Sequence, residues 1–240
     1  PKCLFYLMHW TFNSEGRGSL TDKKELPDMY LTSGASDRPK PITQHNCNEA
    51  HRTLGCWLTT NCQMETALAQ LSPKASTFGR KLLCSALDKY DAWTAHFVIF
   101  VPMMTYTFGI SHHTLPKLAT LQRSSTRATL MNRIQPEQAL AVVFGAVTFG
   151  GLGMRHLYVE QGIAQLQLFI RHTRAGTDQG TLLRITLAWW QLAAGVSYSL
   201  LEFPSRIIHH LDNNWLASVR NFLSFIDGTL HVDKVCAGMP

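Results

Sequence analysis

Along the first sixty residues, apolar and polar positions come in short runs divided by turn formers. Residues 3–12 (CLFYLMHWTF) are aromatic and partly alternating, which predicts a strand. Residues 13–18 (NSEGRG) read as a turn. A second short strand is expected over 29–32, and 33–41, with Gly34, Asp37, Pro39 and Pro41, reads as a loop. Residues 52–59 (RTLGCWLT) predict a third strand, closed by Thr60-Asn61. From Met64 the period changes. Leu68, Leu71, Ala75, Phe78, Leu82 and Ala86 recur at helical spacing, with Lys74, Arg80 and Lys81 on other faces. Pro73 weakens this helix locally, because proline removes a backbone hydrogen bond. Further helices are expected over 92–104 and over 115–134, the latter carrying Lys117, Arg123, Arg127 and Arg133. Pro136-Glu137 starts another, which Phe149-Gly150-Gly151-Leu152-Gly153 breaks. Helices over 157–173, 180–194 and 214–225 complete the pattern. The expected fold class is α+β: a small β-rich N-terminal corner over 1–60, then a mainly helical bundle over 61–135 and 136–240.

Charge sharpens the picture. A hydrophobic share of 45% with 16% charged residues suits a globular chain and excludes disorder. The net charge of +6 is uneven. Residues 1–50 and 136–240 each balance, whereas 51–135 hold nine basic residues against Glu65, Asp88 and Asp91. Such a block attracts polyanions, nucleic acid foremost, and its plain alternative is a solvated basic face without a partner. Cys3, Cys47, Cys56, Cys62, Cys84 and Cys236 are few and irregularly spaced, which reads as reduced thiols in an intracellular protein, nuclear or cytoplasmic. His45, Cys47, Cys56 and Cys62 lack the close ligand pairs of a zinc site, so no metal is expected. The chain opens on Pro1 and shows no signal peptide, and it reads as a fragment.

The candidate motifs are weak as chemistry. Residues 92–116 hold no Asp, Glu, Lys or Arg, and the stretch from Trp93 to Ile110 is long enough to span a bilayer. His96 and Pro102 interrupt it, and the mean hydropathy of the chain is −0.04, so a buried helix is the cheaper reading. Gly150, Gly151 and Gly153 match neither a dinucleotide fingerprint nor a P-loop. They are expected to serve a tight turn and close backbone packing between helices. Adjacent pairs His112-His113 and His209-His210 point about 100° apart on a helix and are expected as surface or capping residues. Trp57 reads as core, with stacking on a base or sugar as the alternative. No catalytic acid, base or nucleophile set is visible.

An ordered series of motifs resembles one family. Pro1-Lys2-Cys3 followed by Phe5-Tyr6-Leu7, Trp10 and Gly16 looks like the stretch after the catalytic motif of reverse transcriptases from non-LTR-type retrotransposons. The segment 49–56 (EAHRTLGC) resembles the Leu-Gly hairpin that begins the primer grip in that family. Ala92-Trp93, Tyr106 and Leu115 fall where the thumb would lie, and Gly150-Gly151-Leu152-Gly153 with Leu157 and Ala164 resembles a post-thumb segment. The likeness covers about residues 1–226 and is greatest to elements of diatom and other algal genomes. Two departures stand out. The family's Tyr-x-Asp-Asp motif would lie upstream of Pro1. Residues 101–107 (VPMMTYT) lack the charges that similar sequences carry there, which suggests a decayed copy.

The resemblance implies that 1–60 is the end of the palm with the primer-grip hairpin, 61–135 the basic thumb and 136–240 the post-thumb region. It implies a parent RNA-directed DNA polymerase using two divalent metals, Mg by preference, with the catalytic aspartates outside this chain, which is expected to be inactive alone. Its partners would be RNA/DNA primer–template and the palm and fingers of the parent polypeptide. Arg52, Leu54 and Gly55 would shape the primer grip. Lys74, Arg80, Lys81, Lys117, Arg123, Arg127 and Arg133 would hold phosphates, which position a duplex without reading its sequence. The rival readings are a multi-helix membrane protein and a helical interaction module without a nucleic-acid role. Coding DNA immediately upstream of Pro1 is expected to carry an in-frame Tyr-x-Asp-Asp. Sequencing a start codon there with no such motif would leave a relic or an unrelated helical protein.

Overall fold

The computed structural model describes residues 4–6, 8–16, 18–22, 29–33, 36–53, 55–60, 62–131, 139–206, 208 and 214–232. The fold is α+β, dominated by helices. The chain forms two compact units, 1–69 and 70–240, with the division falling inside one helix.

The first unit is built from short two-stranded ladders. β1 (Leu4–Tyr6) pairs in parallel with β6 (Thr43–His45), and the intervening chain makes the long return that a parallel pair needs. β2 (Met8–Phe12) and β3 (Gly18–Asp22) form an antiparallel hairpin around the expected turn, where the Asn13 carboxamide oxygen accepts from the Glu15 N–H at 3.0 Å. β4 (Tyr30–Ser33) pairs with β5 (Ser36–Pro41), so part of the expected loop over 33–41 is a strand. Proline is tolerated there because a two-stranded ribbon leaves alternate N–H groups of each strand unbonded. The single strand expected over 52–59 is instead a hairpin. β7 (His51–Thr53) turns back into β8 (Cys56–Leu58) through Gly55 at φ +87°, a left-handed conformation that favours glycine. Trp57 is half-buried rather than core.

α1 (Glu65–Leu83) arises from the apolar series Leu71, Ala75 and Leu82, all buried, with Glu65 in its first turn and Arg80 and Lys81 in its last, where they complement the helix dipole. Pro73 sits on its exposed face, so the carbonyl it leaves unbonded can be met by water. α2 (Lys89–Ala95) starts at Asp88, whose carboxylate accepts from the N–H groups of Tyr90 and Asp91, each at 2.8 Å. The helix continues through one widened π turn, His96–Phe100, into α3 (Val101–Thr105). The extra residue falls just before Pro102, which thus occupies a first-turn position where its missing N–H costs little. Among the described residues no helix is long and apolar enough to cross a membrane.

α4 (Leu115–Met131) matches the expected helix, and Arg133 and Pro136-Glu137 lie outside the described residues. After α5 (Leu140–Phe144) and a short 3-10 turn, the glycine segment folds back on the end of α5. Leu152, Met154 and Gly153 N–H groups donate to the carbonyls of Val142, Val143 and Gly145 at 2.8–3.0 Å. The close approach is therefore loop to loop: a Cβ on Gly151 would strike the Gly145 backbone. α6 (Leu157–Ala175), α7 (Asp178–Ala194) and α8 (Trp215–Phe225) follow as expected, to within a few residues. Gly176 ends α6 at φ +62°, and the Thr177 hydroxyl caps α7 by accepting from the Gly180 N–H at 3.1 Å.

α6 is the centre of this unit and packs against α3, α4, α7 and α8. One core joins Leu71, Phe100, Met104, Phe108, Leu118, Leu157 and Phe222, and a second joins Phe169, Leu187, Trp190, Leu201 and Val219. Gly162 of α6 lies against the Phe222 ring, with no room for a Cβ. Overpacking of this kind costs about 1–3 kcal/mol, which outweighs the roughly 1 kcal/mol of helix propensity gained by alanine. Gly162→Ala is accordingly expected to lower the urea midpoint of unfolding. An unchanged or raised midpoint would show that α6 and α8 are not in this contact.

Candidate nucleic-acid interface

The basic residues singled out in the sequence sit on α1 and α4, and the contact between these helices determines where they point. Gly79 lets the α4 backbone come close: a Cβ there would meet the Ser124 carbonyl oxygen at 2.9 Å. The Ser124 hydroxyl donates back to the Ala75 carbonyl at 3.3 Å, and Leu82, Ala92 and Ala128 close the seam. With small residues inside, the long cations of both helices are left outside. Lys74, Arg80, Lys81, Lys117, Arg123 and Arg127 are all exposed. Among the described residues no carboxylate pairs with Lys74, Arg80, Lys81, Arg123 or Arg127.

These cations do not form one row. Lys74 and Lys81, two turns apart, border an open apolar groove of about 670 Å³ with Phe78, Leu82, Ile99 and Met103. Arg80 projects roughly 120° around α1 from Lys74. Arg123 and Arg127 border a different pocket of about 260 Å³, on the side of α4 that faces α5 and the start of α6. Lys117 lies roughly 80–120° around α4 from that pair. The helices thus bring together two pairs, Lys74 with Lys81 and Arg123 with Arg127.

The smaller pocket also contains residues that the charge pattern does not reveal: Gln122, Thr126, Phe144 and His156. The Gln122 side chain joins α4 to α6, its amide donating to the Arg155 carbonyl at 2.6 Å and its oxygen accepting from the Leu157 N–H at 2.9 Å. His156 caps α6 by accepting the Tyr158 N–H on Nδ1 at 3.2 Å, and its ring meets Phe144 edge-on at 4.9 Å. Burial lowers the His156 pKa, in keeping with a nitrogen that must stay unprotonated to accept. The Thr126 hydroxyl is enclosed and has no hydrogen-bond partner. The signal was present in the sequence: Gln122 and Thr126 are four apart, hence on one helical face, beside Arg123 and Arg127.

In the first unit, Arg52 is exposed and stands opposite Trp57 in the β7–β8 hairpin, and Gly55 makes its turn. Leu54 lies outside the described residues. Cys47, Cys56, Cys62 and Cys84 are free thiols, and burial raises the Cys56 pKa. Among the described residues no group of three or more His, Cys, Asp or Glu is placed to hold a metal ion.

One expectation for histidine needs correction. His113 is buried, not at the surface, because its backbone N–H and carbonyl bond the Gln161 carboxamide, both at 2.9 Å. His96 is also fully buried, stacked on Phe100 at 5.2 Å, with Nδ1 2.9 Å from the Ser125 hydroxyl and Nε2 without a partner. The pair His209-His210 lies outside the described residues. No protein-family model, curated protein or solved structure matches this chain.

Burial holds the His96 imidazole down to about 4, from an ordinary value of 6.5. Between those values the unfolded chain binds the proton more readily than the folded one, so stability is fully present above about 6.5 and falls as pH drops toward 4. The loss from this group is about 3 kcal/mol at most. Urea unfolding at pH 7 and pH 4.5 should show that slope in the native chain and a shallower one in His96→Asn. Equal slopes would mean that His96 is not buried in its neutral form.

Proposed function

We propose that the helical unit holds a nucleic-acid duplex by its phosphates, as the thumb of a retroelement reverse transcriptase does. The observation that carries this reading is the exposure on α1 and α4 of Lys74, Arg80, Lys81, Arg123 and Arg127, which no carboxylate neutralises among the described residues. Cations left in this state are available to displace the counterions condensed on a phosphate backbone. On this reading the chain is a C-terminal part of an RNA-directed DNA polymerase acting inside the cell, in nucleus or cytoplasm. The metal-dependent transfer step belongs to the part of the palm that carries the catalytic aspartates, outside the chain. The β7–β8 hairpin, with Arg52 and Gly55, would then meet the primer end.

Affinity for an RNA–DNA hybrid is expected to fall steeply with salt. Replacing Lys117, Arg123, Arg127 and Arg133 together by alanine should weaken binding and flatten the log–log salt slope by up to about 3–4 units, at roughly 0.9 per phosphate contact. Fluorescence anisotropy across a salt series reads both quantities. If affinity and slope survive the fourfold change, α4 is not the phosphate-contacting helix.

A further inference from the structure

The pocket under Arg123 and Arg127 has more structure than phosphate contact requires. Its volume of about 260 Å³ lies just under the roughly 300–1,000 Å³ of pockets for drug-sized ligands, which suits one flat ring system and excludes a stacked pair. No carboxylate lines it, and its wall is apolar and aromatic, with Leu130, Leu140 and Phe144. Arg123 and Arg127 are one helical turn apart at its rim, close enough for both guanidinium groups to reach one phosphate. The Gln122 amide is already committed at both ends to the backbone of residues 155 and 157.

We propose that this pocket receives a single unpaired nucleobase of a nucleic-acid strand, with the adjoining phosphate bound by Arg123 and Arg127. The proposal rests on the nucleic-acid reading given above and adds a specific task, recognition of a frayed or overhanging end of the held duplex. A ring stacked on Phe144 contributes regardless of base identity, because every base has a π-face, so the site selects unpaired over paired bases without selecting sequence. An unstacked base is also the form in which single-stranded positions become accessible to aromatic side chains.

The test compares the full chain binding a short blunt RNA–DNA hybrid with the same hybrid bearing one unpaired 3′ adenine, at fixed salt. The overhang should bind about tenfold more tightly, the loss of one stacked base being worth that factor or more. Phe144→Leu, which keeps an apolar side chain but removes the ring, should erase the preference while leaving blunt-end affinity unchanged. Leu140→Trp, at a position 68% exposed, should erase it by filling the pocket, and covers the case in which Phe144→Leu disturbs the core. Equal affinity for the two hybrids overturns the base pocket while the phosphate-binding reading stands. A preference that persists in both variants overturns it as well. Failure of the native chain to bind either hybrid overturns both.

Discussion

The helical unit depends on glutamine side chains that satisfy backbone groups where no water reaches. Between α3 and α4 the chain makes turns over 106–110 and then runs irregularly, burying Phe108, Ser111 and His113, and some of its backbone groups are bonded from other helices. Gln161 and Gln165, four residues apart on the inner face of α6, make such bonds. Gln161 pairs with both backbone groups of His113, and Gln165 donates to the Ser111 carbonyl at 2.6 Å. The Trp215 indole donates to the Gly109 carbonyl at 2.8 Å, and Ser218 joins Gln165 at 3.2 Å, so α8 is tied to the same segment. Gln122 does the converse by satisfying the first turn of α6 from α4. Removing any one amide would leave buried polar groups unsatisfied, at about 1–3 kcal/mol each. The apolar residues around these amides gain their burial only in the register that the amides allow.

That register places the cations. α4 is held to α6 by Gln122 and to α1 by the Gly79–Ser124 approach, so two faces of α4 are committed and its arginines occupy the remaining one. Four of the nine basic residues over 51–135 are gathered into two separated pairs, each bordering an apolar recess. The two recesses differ in kind: one is a broad open groove, and the other is small, partly aromatic and flanked by guanidinium groups, which bind phosphate with a fixed geometry that ammonium groups lack.

The long uncharged stretch around Trp93 and Pro102 illustrates a second constraint. Burial in a protein core accounts for part of its apolar character: Phe100, Val101, Met104 and Phe108 are each almost wholly enclosed, whereas Val98, Ile99, Tyr106 and Ile110 are exposed. The π turn lets one continuous path from Lys89 to Thr105 accept a proline, and it directs His96 inward against Ser125 and Phe100. A neutral buried imidazole in this place ties α4 to the π turn through one hydrogen bond at the cost of acid stability.

Local rules determined a good deal of this protein. The change of period at Met64 and the extents of α4, α6, α7 and α8 follow from residue spacing and from the preferences of glycine, asparagine and threonine at helix ends, whereas the helix expected to break at 149–153 already ends at Phe144, before Gly145. The uneven charge was equally plain, since it requires only counting. What the sequence left open was pairing. Whether residues 36–41 lie in a loop or a strand depends on a partner strand, and a ribbon edge accepts prolines that a central strand would reject. Whether 52–59 runs straight or turns depends on which neighbour its backbone bonds, and Gly55 supplied only the permission. Burial of His96 and His113 could not be read from adjacency, because it follows from α4 and α6 closing over them from far along the chain. The small pocket exists for the same reason: residues of α4, α5 and the cap of α6, each ordinary in its own segment, enclose a volume only once those segments are packed.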